Sequence, residues 1–573
     1  MFRYALKRAL INQQFQLHRA TVPVRRQTCF SVCKSFHDFG RRLPNVNISP
    51  FENDTIYALS SGASKAGIAV IRISGPGCLE VYKCLCPEKP LLKPRYAAVR
   101  TLLEPGSINA AEANIVDSDS LVLYFPAPKT VTGEDVLELH IHGGSATVKA
   151  VLAAIAKCSP SGKIRYAEPG EFTKRSFLNG RLDLAQVESL GETLAAETEH
   201  QRRAAVRGSS GVLGKTYEGW REQLLLARGE IEALIDFSED QHFDESPAEL
   251  LTNVTRLVND ILNSIQMHKL GSQRSELLRN GIRIALLGPP NVGKSSLMNQ
   301  IVGREASIVS AEAGTTRDII EASLDIRGYL CSFADTAGIR TGESDKIYNL
   351  DQGLTSLIGT IEREGIRRAR QKALDSDVVI VLASIERNAS GGHCISYDRE
   401  TLQLAAAAPH RLVAVNKTDI VDQESLKRLI EDFKTSALKH VEGFQDSEPL
   451  TLSCKAAAAR VAGLADPGGV HTLIEKLVQS FSNLTSLPGD MQHLLGVTER
   501  QCQLLSECQR HLEDFIHETR LGGAPGEGEP DVVLAAEHLR LAANQLAAIT
   551  GRGDSGDVEE VLGVIFEKFC VGK

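Results

Sequence analysis

No stretch of this 573-residue chain approaches the ~20 consecutive apolar residues that a membrane-crossing helix needs, so no helical span is expected. The 12 cysteines show no metal-type pairing. Cys84-x-Cys86 and Cys29-x-x-x-Cys33 lack partner Cys/His pairs at zinc spacing, and scattered thiols of this kind read as reduced core residues. Acids are nearly missing from the first fifty residues, where nine Lys/Arg face Asp38 alone, a net +8. Because the whole chain carries −8, the remainder carries −16. The same segment has no continuous apolar core of the secretory kind. An Arg-rich, acid-poor start with interspersed Phe, Leu and Val reads as a mitochondrial presequence over 1–50. A basic tail for nucleic acid or acidic surfaces is the alternative. With the rest acidic, nucleic-acid contact requires local basic patches or a partner. A composition of 42% hydrophobic and 24% charged residues is that of an ordinary globular protein, and the length suggests roughly three or four domains.

What is present centres on Gly288-Pro289-Pro290-Asn291-Val292-Gly293-Lys294-Ser295. It follows the apolar run 282–287, a strand pattern, and precedes Ser296 and Leu297, a helix pattern. Phosphate needs several backbone N–H groups converging at a helix N-terminus, and strand, glycine loop and helix supply them. In such a loop Lys294 reaches the β- and γ-phosphates and the Ser295 hydroxyl ligates Mg²⁺. A chance glycine-rich turn is the bland reading. Four further segments in order argue against it: Gly314-Thr315-Thr316-Arg317-Asp318, Asp335-Thr336-Ala337-Gly338, Asn416-Lys417-Thr418-Asp419 and Ser453-Cys454-Lys455. Thr316 suits closure over Mg²⁺, Asp335 suits its outer shell, and the Gly338 N–H suits the γ-phosphate. Asp419 can accept both N1–H and N2–H of guanine, a donor pair adenine lacks, so the nucleotide is GTP. Ser453, Cys454 and Lys455 suit a loop supporting the base. The residue after Gly338 is Ile339, which cannot orient water as the glutamine of Ras-type GTPases does.

The surrounding pattern predicts a multidomain α/β protein. Strands are expected at 54–59, 67–75, 120–125 and 136–142 with a helix at 147–157, an α+β domain over 52–170. Within it Arg72 reads equally well as a surface cation and Glu138 as an edge-strand carboxylate. Three- and four-residue apolar spacings predict helices at 183–207, 217–235 and 248–273, then at 498–521, 531–549 and 557–569. Strands at 283–287, 329–334, 378–382, 411–415 and 449–452 alternate with helices, predicting a Ras-like α/β unit with a parallel-rich sheet over 277–483. That unit is expected to be inserted in one helical domain built from 171–276 and 484–573.

Together, Gly314–Asp318, Asp335-Thr336-Ala337-Gly338-Ile339-Arg340 and the terminal Phe569-Cys570-Val571-Gly572-Lys573 resemble the MnmE (TrmE) family of tRNA-modification GTPases. The likeness extends through Thr132–Leu139, Pro169–Thr173, Asn179–Leu184 and Ile235-Asp236-Phe237, covering nearly everything after residue 52, and the presequence suggests its mitochondrial branch. The resemblance implies a potassium-dependent GTPase that acts with an MnmG (GidA)-like FAD protein on C5 of the wobble uridine of mitochondrial tRNAs. The added group is expected to be taurinomethyl, with a 5-formyl- or methylene-tetrahydrofolate as one-carbon donor. It implies a homodimer through a folate-binding-like N-terminal domain, with folate at Arg72, Glu138, Arg181 and Lys573, and Cys570 in the modification chemistry. It places GTP on Asn291, Val292, Gly293, Lys294, Ser295 and Ser296, on Ser310, Ala311, Glu312, Ala313, Gly314, Thr315 and Thr316, on Asp335–Gly338, and on the Asn416–Asp419 and Ser453–Lys455 loops. It gives K⁺ to Asn291, Ser310, Glu312 and Thr315, Mg²⁺ to Ser295 and Thr316, and water positioning to Glu362. The chain departs from the family pattern in two ways. An insertion at 341–360 precedes Glu362, and Arg181 stands where Lys is common, a planar fork replacing a point charge. From the residues alone, Cys570 reads as a frayed-tail thiol. A GTP-switched ribosome or RNA assembly factor without RNA-modifying chemistry is the other functional class. It would need neither the folate-type domain nor the cysteine tail.

Overall fold

The computed structural model describes residues 54–106, 114–158, 163–236, 247–304, 306–310, 323–334, 371, 375–388, 391–459, 466, 468–520, 531–552, 565, 569 and 572. The first unit is a six-stranded sheet of β1 (Thr55–Leu59), β2 (Ile68–Ser74), β3 (Ala98–Leu103), β4 (Ile115–Phe125), β5 (Val136–His142) and β6 (Ile164–Tyr166), ordered β3-β4-β5-β2-β1-β6. Only β1–β6 is parallel. Strict alternation sends Ile71, Ile73, Leu137, Leu139 and Ile141 to one face, where α1 (Cys78–Leu85) and α2 (Ser145–Lys157) bury them with Tyr82, Val151 and Ile155. On the other face Ile56 and Ala58 meet Phe172 of α3 (Glu171–Leu178). Arg72 and Glu138 share that second face by the same alternation. β3, β6, α1 and α3 were not legible in the sequence, and the expected strand at 120–125 is the second half of the longer β4.

The helical run expected over 183–207 is two helices, α4 (Leu184–Ala195) and α5 (Glu199–Gly208). Ala196 leaves helical geometry at ψ 124°, and the Thr198 N–H is taken by the Gln201 side chain at 3.0 Å, a fresh helix start. α6 (Val212–Asp236) and α7 (Pro247–Asn280) follow. α7 runs past the expected 273 because Leu278 remains in the core, and it stops where Gly281 turns left-handed at φ 85°.

Gly281 leads straight into the second sheet, built from β7 (Ile282–Leu287), β8 (Ala306–Ser310), β9 (Ser323–Ile326), β10 (Tyr329–Ala334), β11 (Val378–Arg387), β12 (His393–Ser396), β13 (His410–Asn416) and β14 (Leu450–Thr451). Its order is β14-β13-β11-β7-β10-β9-β8, with β12 on β11. From β14 to β10 neighbours run parallel, and β8, β9 and β12 join antiparallel, so the sheet is mixed. The β11 residues Val378–Ala383 are all buried, as a strand covered on both faces requires. The α-helices described in this part are α8 (Lys294–Arg304), α9 (Arg399–Ala406), α10 (Gln423–Ser436), α11 (Cys454–Ala459) and α12 (Val470–Thr485).

The chain then returns to α13 (Glu499–Arg520) and α14 (Val532–Thr550), whose Leu505, Leu512, Phe515 and Leu539 share a core with Tyr217, Leu224 and Ile261. Polar ties cross between the two helical segments. Glu188 of α4 accepts from Thr498 Oγ1 at 3.1 Å and Gln501 Nε2 at 2.7 Å, and Lys269 Nζ donates to Gln509 Oε1 at 3.1 Å. Among the described residues, no helix is long and apolar enough to cross a membrane.

Candidate functional site

The glycine loop takes its shape from contacts that exclude side chains. At Gly288, φ 150°, a Cβ would meet the Leu382 carbonyl oxygen at 2.2 Å, so β11 presses against the loop. At Gly293, φ 98°, a Cβ would meet Asn416 Nδ2 at 2.3 Å. Between them Asn291 sits left-handed at φ 63°, a conformation Asn adopts more readily than most residues, with its side chain exposed. α8 begins at Lys294, so the amides of the loop and of Ser295 and Ser296 stand at a helix N-terminus. The Lys294 Nζ donates to the Gly288 and Pro289 carbonyls at 2.7 and 2.9 Å. Burial lowers its pKa below the ordinary lysine value. An anion placed in the loop would offer that ammonium a stronger acceptor than two carbonyls.

Asn416 joins this loop to the base-side loops. It is buried, its Nδ2 donates to Val292 O at 2.8 Å, and its Oδ1 accepts from the Cys454 N–H at 3.2 Å. Lys417 turns left-handed at φ 61°, and Thr418 donates through both N and Oγ1 to Leu452 O, at 3.1 and 2.9 Å. That anchoring leaves Asp419 exposed, with one carboxylate oxygen taking the Ser453 hydroxyl at 2.6 Å. A carboxylate held at one oxygen and otherwise facing solvent retains acceptor sites for a purine edge carrying two N–H donors. Lys455 is exposed on the first turn of α11, while Cys454 is buried and its thiol pKa is raised by that burial. Glu386, which the sequence did not single out, lies 3.5 Å from Lys417 Nζ and accepts from Ser384 Oγ at 3.2 Å. Only the sheet shows it, because β11 brings residue 386 beside residue 417.

Ser310 ends β8, paired with Ser323 of β9. The other expected switch and catalytic residues, Ala311, Glu312, Ala313, Gly314, Thr315, Thr316, Asp335, Thr336, Ala337, Gly338 and Glu362, lie outside the described residues. So do 1–50, the insertion at 341–360, Cys570 and Lys573.

A second grouping lies on the first sheet. Arg72 and Glu138 are cross-strand partners on β2 and β5, joined by Arg72 Nε and Nη2 to Glu138 Oε1 at 3.0 and 2.9 Å. Both expectations from sequence are corrected here. β5 lies inside the sheet between β4 and β2, so Glu138 is not on an edge, and Arg72 is a paired, half-buried cation. His140, one step along the same face, places Nε2 3.6 Å from the other Glu138 oxygen. Arg181 Nε donates to Thr130 O at 2.9 Å, in the turn whose Glu134 accepts from Ser74 at 2.8 Å. The chain end reaches this sheet as well. Ser60 Oγ donates to Gly572 O at 2.8 Å, and Gly572, φ 96°, lies so close that a Cβ would meet Leu59 O at 2.1 Å. Leu59 and Ala58 pair across β1–β2 with Ile71 and Arg72. Phe569 is buried against Leu184 and Val187 of α4. Neither Ser60 nor His140 stood out in the sequence, because each acquires its meaning only from the strand register.

Strand, glycine loop and helix, with a carboxylate-bearing base loop tied to them through Asn416, define a P-loop GTPase. A family model described as the GTP-binding protein TrmE N-terminus matches residues 55–181, and one described as the MnmE helical domain matches 184–570. A tRNA modification GTPase MnmE of Paramagnetospirillum magneticum is 38% identical over 525 residues, covering 91% of this chain and 100% of that protein. The mitochondrial 5-taurinomethyluridine-[tRNA] synthase subunit GTPB3 of Danio rerio is 35% identical over 91% of this chain and 93% of its own length. The mitochondrial tRNA modification GTPase MSS1 of Saccharomyces cerevisiae is 33% identical, with 91% and 94% covered. The chain belongs to the MnmE (TrmE) family of tRNA-modification GTPases.

Proposed function

We propose that this protein is the GTP-hydrolysing subunit of a mitochondrial enzyme that installs a C5 substituent, taurinomethyl, on the wobble uridine of tRNA. GTP would lie along the Asn291–Ser296 loop with its guanine on Asp419. Ser295 and Thr316 would hold Mg²⁺, and Asn291 with Ser310, Glu312 and Thr315 would hold K⁺, the two ions supplying positive charge against the phosphates, while Glu362 would position the attacking water. What supports a phosphate in this loop is the start of α8 at Lys294, whose Nζ rests on the Gly288 and Pro289 carbonyls.

The carbon chemistry belongs to the first sheet. A reduced folate carrying a one-carbon unit binds along Arg72, Glu138 and Arg181, with Lys573 and Cys570 brought by the chain end. A flavoprotein partner supplies the redox step. The observation that carries this reading is the seat of Gly572 on Leu59 and Ser60, one strand away from the Arg72–Glu138 pair. Residues 52–170 act as the folate and dimerisation domain. Residues 171–276 and 484–573 form the helical domain, and 277–483 form the G domain inserted between them.

Reconstitution tests it. Purified chain, a flavoprotein of the MnmG class, GTP, Mg²⁺, K⁺, taurine and a methylene-labelled folate should transfer label to an unmodified tRNA. Transfer that proceeds equally well without this chain, or without GTP, would reject the proposal.

A further inference from the structure

α13 and α14 pack against one another, and they bring together side chains that the proposed nucleotide and folate sites do not use. His511 and Asp514 are three apart on α13, hence on one face, and His538 comes from α14. One donor atom from each of the three lies within 4.8 Å of the others. The imidazoles are 6.1 Å apart between ring centroids, and His538 Nδ1 is 4.0 Å from Asp514 Oδ2.

The second observation is a missing partner. His511 is 8% exposed, and its Nδ1, like that of His538, is a buried nitrogen with no hydrogen-bond partner among the described residues. An orphaned buried polar atom is costly, so two in neighbouring rings call for an explanation. His511 Nε2 faces Arg510 Nη2 at 3.5 Å, while Arg510 is itself tied to Glu507 at 2.8 Å. With Arg510 donating to Nε2 the ring proton sits on Nδ1; binding a metal through Nδ1 moves that proton to Nε2 and gives up the long Arg510 contact, while Arg510 keeps its tie to Glu507.

We propose that His511, Asp514 and His538 form a site for a divalent first-row metal ion of the zinc type, clamping α13 to α14. Two imidazoles and one carboxylate are a common zinc donor set, with a water completing the tetrahedron. The half-exposed Asp514 leaves a side open to that water. A tetrahedral ion with ligands at ~2.0–2.1 Å brings its donors to about 3.3 Å from one another, so side-chain adjustment of roughly an ångström closes the present arrangement. The orphaned Nδ1 of each imidazole would gain a partner in the same step.

The test uses the untagged full-length chain, stripped with chelator and kept in excess Mg²⁺ so that the nucleotide site does not compete. Titration with Co²⁺ should give the intense visible bands of a tetrahedral ion, saturating at one per chain and bleached by Zn²⁺. Asp514→Asn and His538→Gln should each weaken Co²⁺ binding by at least about tenfold, with unchanged circular dichroism and unchanged GTP turnover. Zn²⁺ should raise the Tm of the native chain and not of the variants. No saturable spectrum would overturn the proposal, as would a spectrum retained in both variants or one dominated by a thiolate charge-transfer band.

Discussion

Ser60 and Gly572 are 512 positions apart in sequence and share a 2.8 Å hydrogen bond, so the end of the chain is seated at the end of its first strand. Gly572 cannot be replaced freely there, because φ 96° and the nearby Leu59 carbonyl exclude a side chain. The Gly572→Ala protein is expected to lose its docked terminus while its GTPase stays intact. Amide exchange at the C-terminus should rise, and folate binding should weaken by about tenfold or more. Ser60→Ala removes one hydrogen bond, about 1 kcal/mol, and should weaken folate binding by roughly fivefold. Unchanged exchange in Gly572→Ala would mean that the seat does not hold the tail.

In the proposed function Asp419 determines the base. Its replacement by Asn supplies one donor and one acceptor where guanine needs two acceptors, and leaves the Ser453 hydroxyl a changed partner. GTP affinity should fall by about a hundredfold, two interactions at 1–3 kcal/mol each. Xanthosine triphosphate, which carries a carbonyl in place of the guanine amine, should bind better than GTP. Equal loss of both nucleotides would point to collapse of the loop instead.

The fold's centre was legible because glycine loops, burial runs and ordered motifs are local signals. Five strands of the second sheet and three of the first, β1, β2 and β5, stand close to where sequence pattern put them. What escaped were relationships across the chain. Arg72 and Glu138 could be read as unrelated surface charges until the β2–β5 register paired them. The break between α4 and α5 escaped because Ala-rich apolar spacing runs through it, while the polar ties at Thr198 decide the boundary. β8, β9 and β12 are short antiparallel additions, and a βα alternation rule has no place for them.

Potassium dependence follows from the proposed role of Asn291. Turnover in K⁺ should exceed turnover in Na⁺ by at least tenfold, and Asn291→Ala should erase the difference with little loss of GTP affinity. Equal rates in the two salts would remove K⁺ from the account. The left-handed backbone of residue 291 makes Asn291→Gly a useful companion, since it relieves strain while still lacking the ligand.

The helical core should be acid-sensitive. His268 is buried beside Trp220 and His493 and hydrogen-bonded to Tyr217 at 3.0 Å. Burial, then His493, lowers its pKa to about 4. A folded pKa below the unfolded value of about 6.5 means full stability above that pH and loss as pH falls toward 4. The span of the shift corresponds to roughly 3 kcal/mol. Urea melts at pH 7 and pH 5 should separate in the native chain and converge in His268→Phe. Parallel pH dependence in both proteins would place the acid sensitivity elsewhere.

The central claim is that GTP hydrolysis at the glycine loop serves modification of a tRNA base. Nucleoside analysis of mitochondrial tRNA from cells lacking this chain addresses it most directly. The C5-substituted wobble uridine should disappear, return with the native chain, and fail to return with Asp419→Asn or Cys570→Ser. Normal wobble uridine modification in the absence of the chain would contradict the account.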